Sequence, residues 1–240
     1  MLIREGAARG PDHDRRLAAW LAAMAGALNA AVFHAVGFFA ANMTGNVSSV
    51  SDRAALGQEG LAGFFAAIVT TFIAGAVAST LLINAARRRR IAGVYAVPIL
   101  VESVLLAVLG IGDAMLDPPL HGTVLILGLA FLMGLQNATV TRISQARVRT
   151  THISGMATDI GIEIAMLIDI ARGRLDEVPG PWRDRLVLHA ITVGAFLGGG
   201  VVGVAIYQAV GAALLGVVAA ALFVLAMDGL MQARRLARAG

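Results

Sequence analysis

The chain has no cysteine and no lysine, and it has few charged side chains of any kind. Without cysteine it can have no disulfide framework, no thiolate metal site and no cysteine nucleophile. Only 14% of its 240 residues are charged and 58% are hydrophobic, whereas a soluble domain has about 25% charged residues. A chain of this length in water still needs a polar surface, so the deficit indicates that much of its surface faces lipid.

The 19 basic residues are all arginine, and they stand in short clusters between apolar runs. A high pI indicates nucleic-acid binding only where basic residues form a stripe on a water-soluble face, so we expect no nucleic-acid partner. The five histidines have no metal-ligand spacing, and no Ser/His/Asp order or G-x-S-x-G motif occurs. The sequence therefore gives no positive case for an enzyme, a bound metal or a cofactor.

Six stretches are long and apolar enough to cross the hydrocarbon core, which takes about 20 helical residues. They are Leu17–Ala40, Leu61–Ala85, Ile91–Ile111, Gly122–Val140, Leu186–Gln208 and Ala212–Met231. Two more polar helical segments, Asn46–Leu56 and Gly155–Ala171, each follow a span and begin at a Thr-Gly or Ser-Gly pair. This pattern predicts one all-α polytopic membrane bundle, residues 1–240, with two interrupted helices.

The arginine clusters predict the orientation of the spans. Four arginines precede the first span, four lie between spans two and three, seven lie between spans four and five, and three follow span six. In a six-span topology 18 of the 19 lie on one side of the membrane, with only Arg53 on the other. The positive-inside rule makes the arginine-rich side cytoplasmic, so we expect both termini in the cytoplasm.

Three short matches recur in the same order in the two halves of the chain, residues 17–111 and 122–231. The matches are Leu28–Val32 with Gln136–Val140, Asn42–Gly45 with His152–Gly155, and Phe72–Val77 with Phe196–Val201. Because each half holds three spans, an odd number, the second half must enter the membrane from the opposite face. The expected architecture is a 3+3 inverted repeat, which in secondary transporters places the substrate site near the midplane between the halves.

The two Thr/Ser-Gly breaks and the polar residues within the spans are the candidates for a binding site. Glycine breaks a helix at little cost and threonine caps one, so a helix starting near Asn46 would present N–H groups to an anion or a polar substrate. The second break would offer the same from the other half, unless both are only caps at the membrane surface. Asparagines inside spans would face the substrate or simply fix helix packing. The candidate substrate-binding residues are Asn29, Asn42, Thr44, Asn46, Asn137, His152 and Ser154.

Glu102 lies near the middle of the third span, where a charge costs about 2.5–3.5 kcal/mol on the insertion scale. It is a candidate for coupling transport to a proton or cation, and the alternative is a neutral acid that hydrogen-bonds a neighbouring helix. Two further pairs, Gly199 with Gly203 and Gly75 with Ser79, have the small-xxx-small spacing of a close helix contact.

The stretches Asn42–Asn46, Gly134–Ala138 and Arg149–Gly155 resemble the YoaK family of bacterial membrane proteins, which contain a domain of unknown function. The resemblance runs from about Leu17 to Met231. The common family form has Thr-Gly where this chain has Ser154-Gly155, a conservative difference because both hydroxyls can cap a helix. The resemblance implies a six-helix protein of the bacterial inner membrane, and it implies no particular substrate.

These features favour a small-molecule transporter or permease with a midplane site between the halves. The alternative is a membrane module that transports nothing and binds a lipid or a partner protein; it predicts a tight bundle without a polar cavity. The expected partners are membrane lipids and a small-molecule substrate of unknown identity. A Gly/Ala-rich helix face could pack within the monomer or against another copy, which leaves a homo-oligomer open.

Overall fold

The computed structural model describes residues 2–3, 5–6, 9–115 and 120–239, without side-chain surroundings at 114, 238 and 239. Arg4 of the first arginine cluster and the side chain of Arg238 lie outside this description. The described residues form eight helices and no strand, and six of the helices are long and apolar enough to span a membrane. The helices are α1 Pro11–Val36, α2 Met43–Ala55, α3 Glu59–Arg88, α4 Ala96–Met115, α5 Leu120–Ser144, α6 Ile153–Ala171, α7 Pro179–Val210 and α8 Ala213–Ala239. The predicted all-α fold with six spans is confirmed.

The two shorter helices, α2 and α6, begin earlier than the sequence predicts. The N-cap of α2 is Asn42, whose Oδ1 accepts a hydrogen bond from the N–H of Gly45 at 3.2 Å. In α6 the N-cap position belongs to His152. Thr44 and Ser154 consequently lie inside the first turn, so the expectation that their hydroxyls cap the helices is wrong.

The long helices pack in pairs drawn from the two halves of the chain. α1 packs against α7, α3 against α5 and α4 against α8, while α2 lies on α3 and α6 lies on α7. The apolar windows of α1 and α5 are 50% and 61% buried, against 17% for α3 and α7. α1 and α5 therefore form the centre of the bundle, and α3 and α7 present large apolar side chains on its outside, where lipid would lie.

Glycines bring the backbones of α1 and α7 into direct contact. A Cβ atom at Gly199 would fall on the carbonyl of Ala23, and one at Gly26 would fall on the carbonyl of Phe196. Gly203 likewise leaves no room for a side chain against Ala27. The small-xxx-small spacing of Gly199 and Gly203 thus marks a close helix contact, as the sequence predicts.

The α3–α5 pair repeats this arrangement in the same register. Gly75 lies against the backbone of Phe131, and Gly134 lies against the backbone of Phe72. One turn from Gly75, the buried hydroxyl of Ser79 is 2.8 Å from that of Thr139. Further along both helices, Nη1 of Arg142 donates to Oδ1 of Asn84 at 3.4 Å. From the glycine crossing onwards the contacts therefore advance along both helices, so α3 and α5 run parallel.

The α4–α8 pair runs antiparallel. Gly110 lies beside Leu215, the Ser103 hydroxyl donates to the carbonyl of Ala219 at 3.0 Å, and Gly93 lies beside Ala233. An antiparallel α4–α8 pair and a parallel α3–α5 pair are what six alternating spans require.

The N-terminal segment forms ion pairs and hydrogen bonds with helix ends on the arginine-rich side. The carboxylate of Asp14 pairs with Arg9 at 2.6 Å and with Arg147 of the α5–α6 loop at 3.1 Å. Burial and a hydrogen bond to Glu5 raise the pKa of Tyr95 to about 12. Burial alone would raise the pKa of Glu5, but its hydrogen bonds to Tyr95 and Arg87 outweigh it and lower that pKa. The N-terminal segment thus connects the start of α1, the end of α3 and the start of α4.

We expect Gly199→Ala to destabilise the protein by about 1–3 kcal/mol, the usual cost of overpacking, because its Cβ would meet the Ala23 carbonyl and push α1 away from α7. Gly198→Ala is the matched control, since nothing lies within 4 Å of a Cβ at that position. Thermal unfolding in detergent micelles measures both. Equal melting temperatures for the two variants would contradict the close contact.

Candidate functional site

A cavity of about 630 Å³ lies between the two halves, at the point where α2 and α6 begin. Six of the seven predicted substrate-binding residues line it: Asn29, Asn42, Thr44, Asn137, His152 and Ser154. The seventh, Asn46, is buried and does not reach the cavity. The two helix starts, which the sequence could have placed far apart at the surface, therefore line one open cavity.

After α1 the chain folds back into the bundle instead of continuing outwards. The N–H of Ala41 donates to Oδ1 of Asn29 at 2.9 Å, and Asn29 lies about two turns, or roughly 10 Å, before the end of α1. Nδ2 of Asn46 donates to the carbonyl of Phe39 at 3.2 Å. Both asparagines thus satisfy backbone groups of the fold-back loop, and α2 starts inside the bundle.

The chain folds back in the same way after α5. The hydroxyl of Thr150 lies 3.3 Å from Oδ1 of Asn137, which is about two turns before the end of α5. Oγ of Ser144 accepts a hydrogen bond from the N–H of Val148 at 3.0 Å. α6 therefore also starts inside the bundle. Asn137 contacts the fold-back loop of the second half, as Asn29 contacts that of the first.

The glycine of each Thr/Ser-Gly pair makes room for the residue at the N-cap position. A Cβ at Gly45 would collide with the amide group of Asn42, and a Cβ at Gly155 would collide with the ring of His152. Neither glycine has a positive φ. These glycines therefore serve the packing of the cavity wall, and they do not break a helix as the sequence predicts.

The cavity also has residues that the sequence did not single out as ligands. Phe72 and Phe196 form apolar wall at equivalent places of α3 and α7, and both begin a repeated stretch, which is the signal that could have identified them. Arg149 lines the cavity as well, and its Nη1 lies 3.1 Å from Nδ1 of His152. The arginine count assigns Arg149 to a surface cluster, and its side chain is indeed exposed. The count could not show that this side chain also lines the cavity.

A second, more polar cavity of about 390 Å³ adjoins the first and shares Arg149 and His152 with it. Arg147, Asp159 and His189 are among its other lining residues. Nδ1 of His189 lies 3.0 Å from the buried carboxylate of Glu163. The Arg149–His152 pair thus belongs to the walls of both cavities.

Glu102 is fully buried on α4 and does not line either cavity. Its Oε1 accepts a hydrogen bond from Nε2 of Gln136 at 3.0 Å, and Oε1 of Gln136 lies 3.3 Å from the hydroxyl of Thr150. The same hydroxyl lies 3.3 Å from Asn137, which lines the main cavity. A chain of polar side chains therefore joins Glu102 to the cavity wall. Oε2 of Glu102 has no partner among the described residues.

We expect Gly155→Ala to displace the His152 ring from the cavity wall, because the new Cβ would overlap that ring. Gly161→Ala, in the same helix with nothing within 4 Å, is the control and should stabilise α6 by about 0.5–1 kcal/mol. A histidine NMR signal from His152 should shift in Gly155→Ala and stay unchanged in Gly161→Ala. An unchanged signal in both variants would contradict this packing.

The chain was compared with known proteins and families. One family model matches residues 17–227, and its description is "Protein of unknown function (DUF1275)". No curated protein and no solved structure matches the chain. The resemblance to the YoaK family is confirmed, since YoaK is a member of the matching family. The chain therefore belongs to the DUF1275 family of proteins of unknown function.

Proposed function

We propose that this protein is a small-molecule transporter or permease whose substrate site is the cavity between its halves. One observation carries the proposal: two helix starts, one from each half, line the same cavity together with Asn29 and Asn137. Interrupted helices in corresponding positions are a typical feature of transporter sites, because they present unpaired backbone groups at membrane depth. In this proposal the protein is not an enzyme and needs no cofactor.

The proposal includes a 3+3 inverted repeat. Its support is the register of the contacts: the fold-back loops, the Asn–loop hydrogen bonds and the glycine crossings occur at corresponding positions of the two halves. The exchange of α1–α7 for α5–α3 contacts fits a two-fold relation in the membrane plane. With the arginine-rich side in the cytoplasm of a bacterial inner membrane, such halves would open the cavity alternately to the two sides.

The alternative is a membrane module that binds a lipid or a partner protein without transport. It predicts a tight bundle without a polar cavity, whereas the described residues line an open cavity of about 630 Å³ with polar side chains from both halves. We therefore favour the transporter.

Glu102 is the proposed coupling residue. It acts through Gln136 and Thr150 and does not touch the substrate, because it lies outside the cavity. No charged side chain among the described parts of α3, α5 and α8, the helices packed on α4, forms an ion pair with it. An isolated intramembrane carboxyl group of this kind is typical of proton relays.

The absence of cysteine permits a direct test of the cavity. Thr44→Cys and Ser154→Cys, labelled with a bulky maleimide, should block solute movement because both side chains line the cavity. The assay is mass spectrometry of a metabolite panel leaving or entering proteoliposomes.

Gln58→Cys and Asp176→Cys lie in exposed loops and are the controls, which should be labelled from opposite sides without loss of flux. The proposal fails if no solute of the panel moves in either direction, or if labelling Thr44→Cys and Ser154→Cys has no effect. Labelling of both control positions from one side would contradict the six-span orientation.

Glu102→Gln should remove the pH dependence of transport while transport itself continues, because glutamine keeps the hydrogen bond to Gln136 but takes up no proton. Initial rates across a series of imposed pH gradients measure this. Glu59→Gln, an exposed carboxylate in the first turn of α3, is the control and should leave the profile unchanged. An unaltered pH profile in Glu102→Gln would remove the coupling role.

A further inference from the structure

The main cavity has one permanently charged residue among the described residues that line it. That residue is Arg149, and the same lining residues include no aspartate or glutamate. The rest of the wall is made of amides, hydroxyls, the imidazole of His152 and apolar side chains. The net charge of the cavity wall is therefore positive.

The hydrogen-bonding capacity of Arg149 is mostly unused. Its one partner among the described residues is Nδ1 of His152, at 3.1 Å. A guanidinium group can only donate, so Nδ1 of His152 is the acceptor and the ring proton is on Nε2. No carboxylate in the described parts of the chain forms an ion pair with Arg149. The other N–H donors of this planar guanidinium group can therefore bind a molecule that enters the cavity.

The two halves differ in charge at one pair of corresponding positions in the cavity wall. At the position of the first half that corresponds to Arg149 stands Phe39, which also lines the cavity and stacks on Phe33 with 4.0 Å between ring centroids. Phe72 and Phe196 add apolar wall from both halves. A molecule that fits this distribution has an anionic group at one end and an apolar body at the other.

We infer that the substrate is a small organic monoanion, a carboxylate with an aromatic or aliphatic body, whose anionic group is bound by Arg149. This inference rests on the transport function proposed above. The N–H groups in the first turns of α2 and α6, which also line the cavity, carry partial positive charge and favour the same anion. Because Arg149 and His152 also line the second cavity, the anionic group can pass from one cavity to the other at this pair.

Isothermal titration of the purified protein tests the inference with benzoate and hexanoate against their neutral amides, benzamide and hexanamide. We expect each carboxylate to bind at least about ten-fold more tightly than its amide, the difference made by one hydrogen-bonded charge pair. Arg149→Gln should weaken carboxylate binding about ten-fold or more, and Arg149→Lys should weaken it less. Arg172→Gln has the same change in charge at the exposed C-terminus of α6 and should bind like the wild type.

Equal affinity for carboxylates and amides, or unchanged binding in Arg149→Gln with an unchanged melting temperature, would overturn the inference. Binding of phosphatidylglycerol in nanodiscs, with no binding of benzoate or hexanoate, would also overturn it by assigning Arg149 to a lipid headgroup. Flux of neutral solutes only, blocked by labelling at Ser154→Cys, would reject the anion and keep the transporter. Binding of carboxylates through Arg149 without any flux would keep the anion site and reject transport.

Discussion

Unsatisfied backbone N–H and C=O groups are costly within a membrane, and the two fold-back loops carry several of them to membrane depth. Irregular backbone at that depth is tolerated only where protein groups or water in a cavity satisfy it. The protein meets this requirement with polar side chains of the long helices. Asn29 of α1 accepts from the N–H of Ala41, and Ser144 at the end of α5 accepts from the N–H of Val148. The cavity exists because these loops end inside the bundle.

The second requirement is space for the loops and for the helices that follow them. Glycines supply it by letting α1 contact α7, and α3 contact α5, at the level of the backbone. α2 and α6 then pack against α3 and α7, the outer helices of these two pairs. At the helix starts, Gly45 and Gly155 leave room for Asn42 and His152 in the cavity wall. Glycine thus permits close helix packing at the crossings and leaves room for larger side chains at the helix starts.

The two halves of the chain present different side chains to the cavity at one pair of corresponding positions. Phe39 and Arg149 stand at corresponding positions, one apolar and one charged. Arg149 also lines the second cavity, whose wall includes Arg147 and Asp159. Glu102 is connected to this charged end and not to the aromatic end, since Gln136 links it to Thr150, the neighbour of Arg149. Substrate recognition and coupling would therefore act on the same loop.

The sequence by itself determined the spans, because length and apolarity alone decide whether a helix can cross a bilayer, and each predicted span overlaps a long helix. It also identified residues that line the cavity: Asn29, Asn137, Thr44, Gly45 and Ser154. It could not show that the loop after α5 folds back, so it did not predict that Arg149, an exposed arginine of that loop, also lines the cavity. The sequence placed the starts of α2 and α6 too late. It did not indicate that Gly45 and Gly155 make room for Asn42 and His152 at the N-cap positions.

Only the tertiary structure decided which of these residues meet. Asn46 and Asn42 are four residues apart, a spacing that within a helix would put both on one face. Yet Asn46 is buried against the loop and Asn42 lines the cavity, because Asn42 is the N-cap of α2 and its backbone is not helical. Glu102 is a conspicuous charge in the sequence, but its distance from the cavity follows from the packing of α4 on α5. Hydropathy is a property of each segment alone, whereas a binding site depends on the relative positions of segments. The sequence of a segment therefore predicts whether that segment can span a membrane, whereas only the packing of the segments decides where a binding site lies.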